Sequence, residues 1–268
     1  MIDELQQDLR KIRCYHMANA IDDILQHSKD NDLSYVECLR RLVDHELDNR
    51  YKVRLKKQYR QANLPCDKLI ECFDFNFQTS ITKRQVNGWL DFDWLDNRKN
   101  KILIGPSGVG KTHLSIAISR EALLKGYKVR FFIMSEFIEE MILNEAANSS
   151  KEWIKGLLKN DLIVLDELGY LPMDRRYTHL FFQFINECYE YRSILITSNK
   201  TPHQWGSFFG DESVAMAILD RLLHHCEPVL LNGDSYRLKD KLEVMGHKVA
   251  NVSEGGFPLR SKPPSETP

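Results

Sequence analysis

Residues 105–112 carry the strongest chemical signal in this chain. They match the phosphate-loop pattern G-x-x-x-x-G-K-[ST] at every fixed position. The glycines let the backbone bend so that successive N–H groups point inward around a triphosphate. The lysine can reach the β- and γ-phosphates, and the threonine hydroxyl can bind Mg²⁺. The predicted phosphate-binding residues are Gly105, Pro106, Ser107, Gly108, Val109, Gly110, Lys111 and Thr112.

The sequence around this loop supports the prediction. Lys101–Ile104 is a short apolar run typical of a buried strand, and His113–Lys125 has a helical apolar pattern that Gly126 ends. A glycine-rich turn that binds nothing would fit the loop taken alone. The order of strand, loop and helix N-terminus is what an anion site requires, and it favours nucleotide binding.

Two acids at 166–167 supply the other half of the predicted site. Residues 162–165 form an apolar run typical of a fully buried strand, which Asp166 and Glu167 end. Asp166 would hold Mg²⁺ through water, and Glu167 would polarise an attacking water. Asn199, after a third apolar strand, can orient the same water. A strand ending in solvated acids and an asparagine opening a turn also fit these residues singly. Together with the loop they predict ATP hydrolysis.

Composition indicates a globular chain with no membrane segment. The 268 residues are 43% hydrophobic and 28% charged, which suits one large α/β domain and a smaller appendage. No run approaches the roughly 20 apolar residues that cross a bilayer, and the acidic N-terminus is unlike a signal peptide. The six cysteines include no C-x-x-C pair, so we expect reduced thiols in the cytoplasm and neither a zinc site nor disulfides.

Charge distribution is more informative than the net charge of −1. Six of the eleven residues from 50 to 60 are basic and none is acidic. Such a segment on a helix suits contact with DNA phosphates, and it also fits an ordinary solvated face. The candidate DNA-binding residues are Arg50, Lys52, Arg54, Lys56, Lys57 and Arg60.

Patterning along the chain predicts three parts. Residues 1–62 repeat apolar positions at helical spacing, and Ser34 can cap a helix from Tyr35 towards Arg60. Residues 63–243 start with a linker and then alternate helices and strands, down to short strands near 228–231 and 235–238. Alternating β-α units predict a parallel sheet between helices. Residues 244–268 are rich in Gly, Pro and Ser, and we expect them to be disordered.

With these motifs placed, the chain resembles the IstB-type transposition ATPases, AAA+ proteins related to the DnaC and DnaI helicase loaders. The resemblance rests on several longer strings: Asp-Glu-Leu-Gly-Tyr-Leu-Pro at 166–172, Leu-Phe-Phe-Gln-Phe-Ile at 180–185, Ile-Thr-Ser-Asn-Lys at 196–200, Trp-Gly at 205–206, Ala-Ile-Leu-Asp-Arg-Leu-Leu-His-His at 217–225 and Ser-Tyr-Arg-Leu at 235–238. It covers the chain to about Leu242. It implies a P-loop NTPase (AAA+) α/β fold behind a small all-helical N-terminal domain.

The resemblance also implies roles for individual residues. Residues 105–112 would be the Walker A loop, Asp166 and Glu167 the Walker B acids, and Asn199 the first sensor. Arg221 matches the family's arginine finger, which would reach the ATP site of a neighbouring subunit. From the residues alone, Arg221 also fits a salt bridge with Asp220 or a nearby acid on an amphipathic helix. Whether Arg237 replaces the sensor arginine of a missing lid stays open.

Three functions fit to different degrees. The first is an insertion-sequence ATPase that uses ATP and Mg²⁺, forms a homo-oligomer on double-stranded DNA and directs a partner transposase to target DNA. The alternative is a DnaC-like loader of a replicative helicase. A small-molecule P-loop kinase is disfavoured, because the sequence shows no arginine-rich lid or acceptor pocket, and two acids with Asn199 favour water as the acceptor.

Overall fold

The computed structural model describes residues 1–170 and 172–239. It contains the following helices: α1 (Ile2–Lys11), α2 (Tyr15–Asp30), α3 (Tyr35–Ala62), α4 (Lys83–Trp89), α5 (Asp93–Asp96), α6 (Lys111–Lys125), α7 (Met134–Ala146), α8 (Ser150–Leu157), α9 (Arg175–Cys188), α10 (Trp205–Phe209) and α11 (Glu212–His224). The strands are β1 (Asn100–Ile104), β2 (Val129–Ile133), β3 (Leu162–Leu168), β4 (Ser193–Ser198) and β5 (Cys226–Leu230).

The N-terminal region is helical as predicted. Helix α3 begins with a capping box, in which Ser34 accepts from the Glu37 backbone N–H and the Glu37 carboxylate accepts from the Ser34 backbone N–H. Asn63, in the left-handed conformation, ends the helix. The boundary at 62/63 stays a prediction, since the last turns of α3 already contact the α/β region.

Helix α3 reaches the α/β region through its second half. The Tyr51 hydroxyl donates to the Leu124 carbonyl at 3.1 Å, and the Gln58 amide donates to the Gly126 carbonyl at 3.4 Å. Leu55 and Tyr59 pack against one of the two hydrophobic cores. The basic segment therefore belongs to a helix that lies on the C-terminal end of α6.

The five strands form one parallel sheet in the order β2-β3-β4-β1-β5. Side chains of the central strands alternate between two cores, as the pleat requires. Ile163 and Leu165 belong to one core, beneath the helices α7, α9 and α11, and Val164 and Leu195 belong to the other, beneath α6. The predicted sheet between two helical layers is confirmed. Among the described residues, no helix is long and apolar enough to cross a membrane.

One element prediction is wrong. Residues 235–238 do not form a strand; Tyr236–Leu238 is a turn of 3₁₀ helix. The Tyr236 N–H donates to the Gly108 carbonyl at 3.0 Å, so this segment crosses the phosphate loop and does not extend the sheet. The predicted disordered tail, residues 244–268, lies outside the described residues.

Candidate nucleotide-binding site

The predicted phosphate loop lies between β1 and the N-terminus of α6. Gly108 and Gly110 have φ of +86° and +95°, which glycine adopts without strain. Helix α6 begins at Lys111, two residues before the predicted start, because Gly110 serves as its N-cap. The buried Lys111 amino group donates to the carbonyls of Gly105 (2.8 Å) and Pro106 (2.7 Å). Because α6 begins directly after the loop, the free N–H groups of its first turn lie at the loop, where an anion is favoured.

Two chain segments pack on the phosphate loop from either side. A Cβ at Gly108 would collide with the Ser235 hydroxyl, so the C-terminal segment touches the loop at a position that only glycine tolerates. On the other side, the Gln78 amide donates to the Val109 carbonyl at 3.0 Å. An ion pair between Lys239 and Asp74 (3.1 Å) joins the two segments. Residues 74–78 and residues 235–239 therefore contact the phosphate loop and are also joined to each other.

Asp166 is the buried acid of the site. Its carboxylate accepts hydrogen bonds from the hydroxyls of Thr112 (2.9 Å) and Thr197 (2.5 Å). Burial raises the pKa of Asp166, and the two hydroxyls and Lys111 oppose that shift. Burial likewise lowers the pKa of Lys111, and the charge of Asp166 opposes it. Each charge therefore supports the other across the site.

Glu167 occupies a distorted position beside that acid. Its φ is +65°, in the left-handed region that is unusual for a residue with a side chain, and the register between β3 and β4 shifts between Leu165 and Leu168. The Glu167 N–H donates to the Thr197 hydroxyl at 3.0 Å, and its side chain is exposed. The bulge turns the carboxylate out of the strand and towards the cavity.

One cavity collects most of the predicted site residues. It has a volume of about 380 Å³ and is lined by the loop from Ser107 to Thr112 and by Glu167 and Asn199. Arg237 also lines it, and its positive charge opposes the rise that burial causes in the pKa of Asp166 and adds to the lowering that burial causes in the pKa of Lys111. The aromatic residues at its rim are Phe73, Phe77, His113, Tyr170 and Tyr236.

Arg221 does not belong to this cavity. It lies on α11 beside Leu222, whose carbonyl accepts from the side chain of Asn100, the first residue of β1. The phosphate loop follows the last residue of the same strand, Ile104. Four steps of about 3.3 Å separate the two ends, about 13 Å along the strand. Arg221 therefore lies towards the opposite edge of the sheet from its own chain's phosphate loop.

The salt-bridge alternative for Arg221 requires an acidic partner. Among the described residues, Arg221 forms no ion pair, with Asp220 or any other acid. Its Nε donates to the Asn186 side-chain oxygen at 2.9 Å, and its guanidinium lies 4.7 Å from the centroid of the Phe182 ring. The salt-bridge alternative is not what the structure shows.

Of the six candidate DNA-binding residues on α3, one is held by an ion pair and five are not. Arg50 pairs with the buried Glu46 at 2.7 Å and donates to the Arg13 carbonyl, so it holds the N-terminal helices together. The other five are exposed on the helix and form no ion pair within the described part of the chain: Lys52, Arg54, Lys56, Lys57 and Arg60.

Thr197 is the main site residue that the sequence reasoning missed. It joins Asp166 and Glu167 through one hydroxyl, which donates to the first and accepts from the second. A signal existed, since Thr197 is the only hydroxyl-bearing residue within the apolar run Ile194–Thr197. A polar residue buried in a central strand requires a partner, and β3 is one of the two strands beside β4.

Comparison with known proteins agrees with this geometry. The family model described as "IstB-like ATP binding protein" matches residues 7–244. The chain belongs to this family. The ATP-binding protein of insertion sequence IS21 from Pseudomonas aeruginosa is 37% identical over 238 residues, which cover 89% of this chain and 90% of that protein.

Solved structures show the same fold at low sequence identity. DnaI has a TM-score of 0.53 at 20% identity, over 61% of this chain and 90% of that one. The replication initiator DnaA, bound to AMPPCP and single-stranded DNA, has a TM-score of 0.55 at 19% identity, over 73% of this chain and 67% of that one. The IstB-like chain therefore has the AAA+ P-loop fold that was expected from its sequence.

Proposed function

We propose that this chain is a Mg²⁺-dependent ATPase of an insertion sequence, which assembles on duplex DNA and directs a partner transposase to target DNA. The observation that carries the proposal is the meeting of Lys111, Thr112 and Glu167 at one cavity beside the N-terminus of α6, with the buried Asp166 bonded to the Thr112 hydroxyl. The insertion-sequence relatives support the biological setting. Since both ATP and DNA are required, we place the chain in the cytoplasm.

The cavity has the groups that ATP binding and hydrolysis need. Lys111 would exchange its two carbonyl partners for phosphate oxygens, and the loop N–H groups would hold the remaining charge. Thr112 and Asp166 offer a hydroxyl and a carboxylate oxygen, the hard ligands that Mg²⁺ prefers. When bound, Mg²⁺ neutralises charge on the β- and γ-phosphates. Glu167 and Asn199 would position and polarise the attacking water.

The position of Arg221 supports the homo-oligomer that we propose. A loose phosphoryl-transfer transition state gains from a second cation, and Arg221 lies towards the start of β1, a strand about 13 Å long whose other end leads into the phosphate loop. A neighbouring copy can bring its Arg221 to the cavity. Arg237 already lies at the cavity of its own chain, where it would contact the triphosphate.

DNA binding is assigned to the exposed basic face of α3. Five cations that form no ion pair within the described part of the chain suit contacts to DNA phosphates, which position a protein on DNA without reading its bases. Sequence preference should then be weak. Because α3 is bonded to the C-terminal end of α6, and α6 begins at Lys111, the proposed DNA contacts and the candidate nucleotide site would lie at opposite ends of one helix.

The test is a steady-state ATPase rate with and without duplex DNA, with the assembly size measured in ATP. We expect DNA to raise both the rate and the assembled fraction. A monomer whose rate does not respond to DNA would contradict the proposal. Retention of a purified replicative helicase, and not of an insertion-sequence transposase, would favour the loader alternative; the insertion-sequence relatives favour the transposase.

A further inference from the structure

The guanidinium of Arg221 lies in surroundings that hold it without neutralising it. Nε donates to the Asn186 side-chain oxygen (2.9 Å), and Nη1 donates to the Ala217 carbonyl (3.1 Å). The Phe182 ring covers one face, with its centroid 4.7 Å from Cζ. Nη2 forms no hydrogen bond within the described residues, and none of their acids pairs with the side chain.

The two holding side chains belong to one face of α9. Phe182 and Asn186 are four residues apart, so they are neighbours on the helix surface, and α9 packs against α11. Phe182 is half-buried against the hydrophobic core, which fixes its ring, whereas Asn186 is exposed. An aromatic face attracts a cation through its quadrupole and adds no charge. An amide oxygen accepts a hydrogen bond and likewise adds no charge.

A carboxylate at the same place would act differently. It would form a charge-assisted pair with Arg221 and compensate the cation that an external phosphate must recognise. A neutral support limits the motion of the side chain and leaves its charge available. Such preorganisation lowers the cost of ordering a long side chain when the anion arrives.

We propose that Phe182 and Asn186 are positioning residues for ATP hydrolysis, which hold Arg221 as an unpaired cation towards the triphosphate bound by a neighbouring copy. This inference rests on the proposed function, because it requires Arg221 to act between copies. It adds a requirement that the function alone does not contain: the residue that supports Arg221 must be neutral.

Asn186→Asp is the direct test, because it replaces an amide by a carboxylate of the same shape. The new carboxylate would pair with Arg221 Nε, so we expect DNA-stimulated turnover to fall at least about tenfold, towards the level of Arg221→Ala. ATP affinity and assembly size should stay unchanged, since neither depends on the charge of residue 186. Asn186→Ala removes the hydrogen bond and leaves the charge of Arg221, so the decrease in its turnover should be smaller, about two- to fivefold.

Gln183→Glu is the matched control. It makes the same change from amide to carboxylate on the exposed surface of α9, at a residue that forms no bond with Arg221, and we expect a rate within about twofold of the wild type. Equal decreases in Asn186→Asp and Asn186→Ala would overturn the requirement for neutrality, and so would a failure of Asn186→Asp to assemble. Full stimulated turnover in Arg221→Ala would contradict the action of Arg221 between copies. Full stimulated turnover in Asn186→Asp, with turnover lost in Arg221→Ala, would contradict only the requirement for a neutral support.

Discussion

Charged groups have different kinds of partners at the two edges of the sheet, the one where the parallel strands end and the one where they begin. At the edge where the strands end, Lys111 donates to two carbonyls and Asp166 accepts from two hydroxyls, all within the same chain. Towards the other edge, Arg221 rests on an amide and an aromatic ring and has no acid among the described residues. The first group is complete in one copy of the chain. In our proposal, the second contacts an anion that is bound by a neighbouring copy.

The largest effect is expected from substitutions at the edge that carries the phosphate loop. Lys111→Ala should abolish ATP binding, because it removes the only lysine of the phosphate loop and its charge-assisted bonds to phosphate. Glu167→Gln should keep ATP affinity and lower turnover by about 10²–10⁴, since only the group that polarises water is removed. Equilibrium binding of a labelled ATP analogue and single-turnover hydrolysis separate the two effects. Equal loss of binding in both variants would remove the role given to Glu167.

The next effect concerns the incomplete edge. Arg221→Ala should bind ATP normally and lose DNA-stimulated turnover by about 10³, the low end of the range for a supplied arginine. The measurements are ATP affinity, assembly size and turnover with saturating duplex DNA.

Mixing two inactive variants sharpens that comparison. In an assembly of Arg221→Ala and Lys111→Ala subunits, some interfaces combine an intact ATP site with an intact Arg221. Partial recovery of turnover is expected if the arginine acts between copies. No recovery in mixtures that are shown to assemble would mean that Arg221 serves only the packing of α9 on α11.

The sequence predicted one edge far better than the other. Local rules predict the phosphate loop, the acids at 166–167 and the strands that precede them, because loop glycines and buried strands constrain their own neighbours. The surroundings of Arg221 depend on how two distant helices pack, and the sequence suggested Asp220, its neighbour along the chain, where the structure has Asn186 and Phe182. The strand prediction for residues 235–238 failed for a similar reason, since the bond of this segment to Gly108 is not local.

A smaller effect is expected from removing the Thr197 hydroxyl, which holds Asp166 and Glu167 at the phosphate-loop edge. Thr197→Val removes the hydroxyl that donates to Asp166 and accepts from the Glu167 N–H, without changing the side-chain shape much. The unpaired groups should cost about 1–3 kcal/mol of folding stability, and turnover should fall about tenfold while ATP affinity changes little. Thermal unfolding and turnover measure the two. Thr197→Ser, which keeps the hydroxyl, should restore the rate; a rate as low as that of valine would show that the methyl group matters instead.

The smallest effect is expected on DNA affinity, from substitutions on α3 that should change neither edge of the sheet. Replacing Arg54, Lys56 and Lys57 by Ala should weaken binding to unrelated duplexes about equally, because phosphate contacts carry no sequence information. The slope of log affinity against log salt should decrease by roughly 0.9 for each DNA phosphate that the variant no longer neutralises. Arg50→Ala is a poor substitute for this test, since its pair with Glu46 holds the N-terminal helices. An unchanged slope would mean that these cations only face solvent, and the DNA surface would have to be sought away from α3.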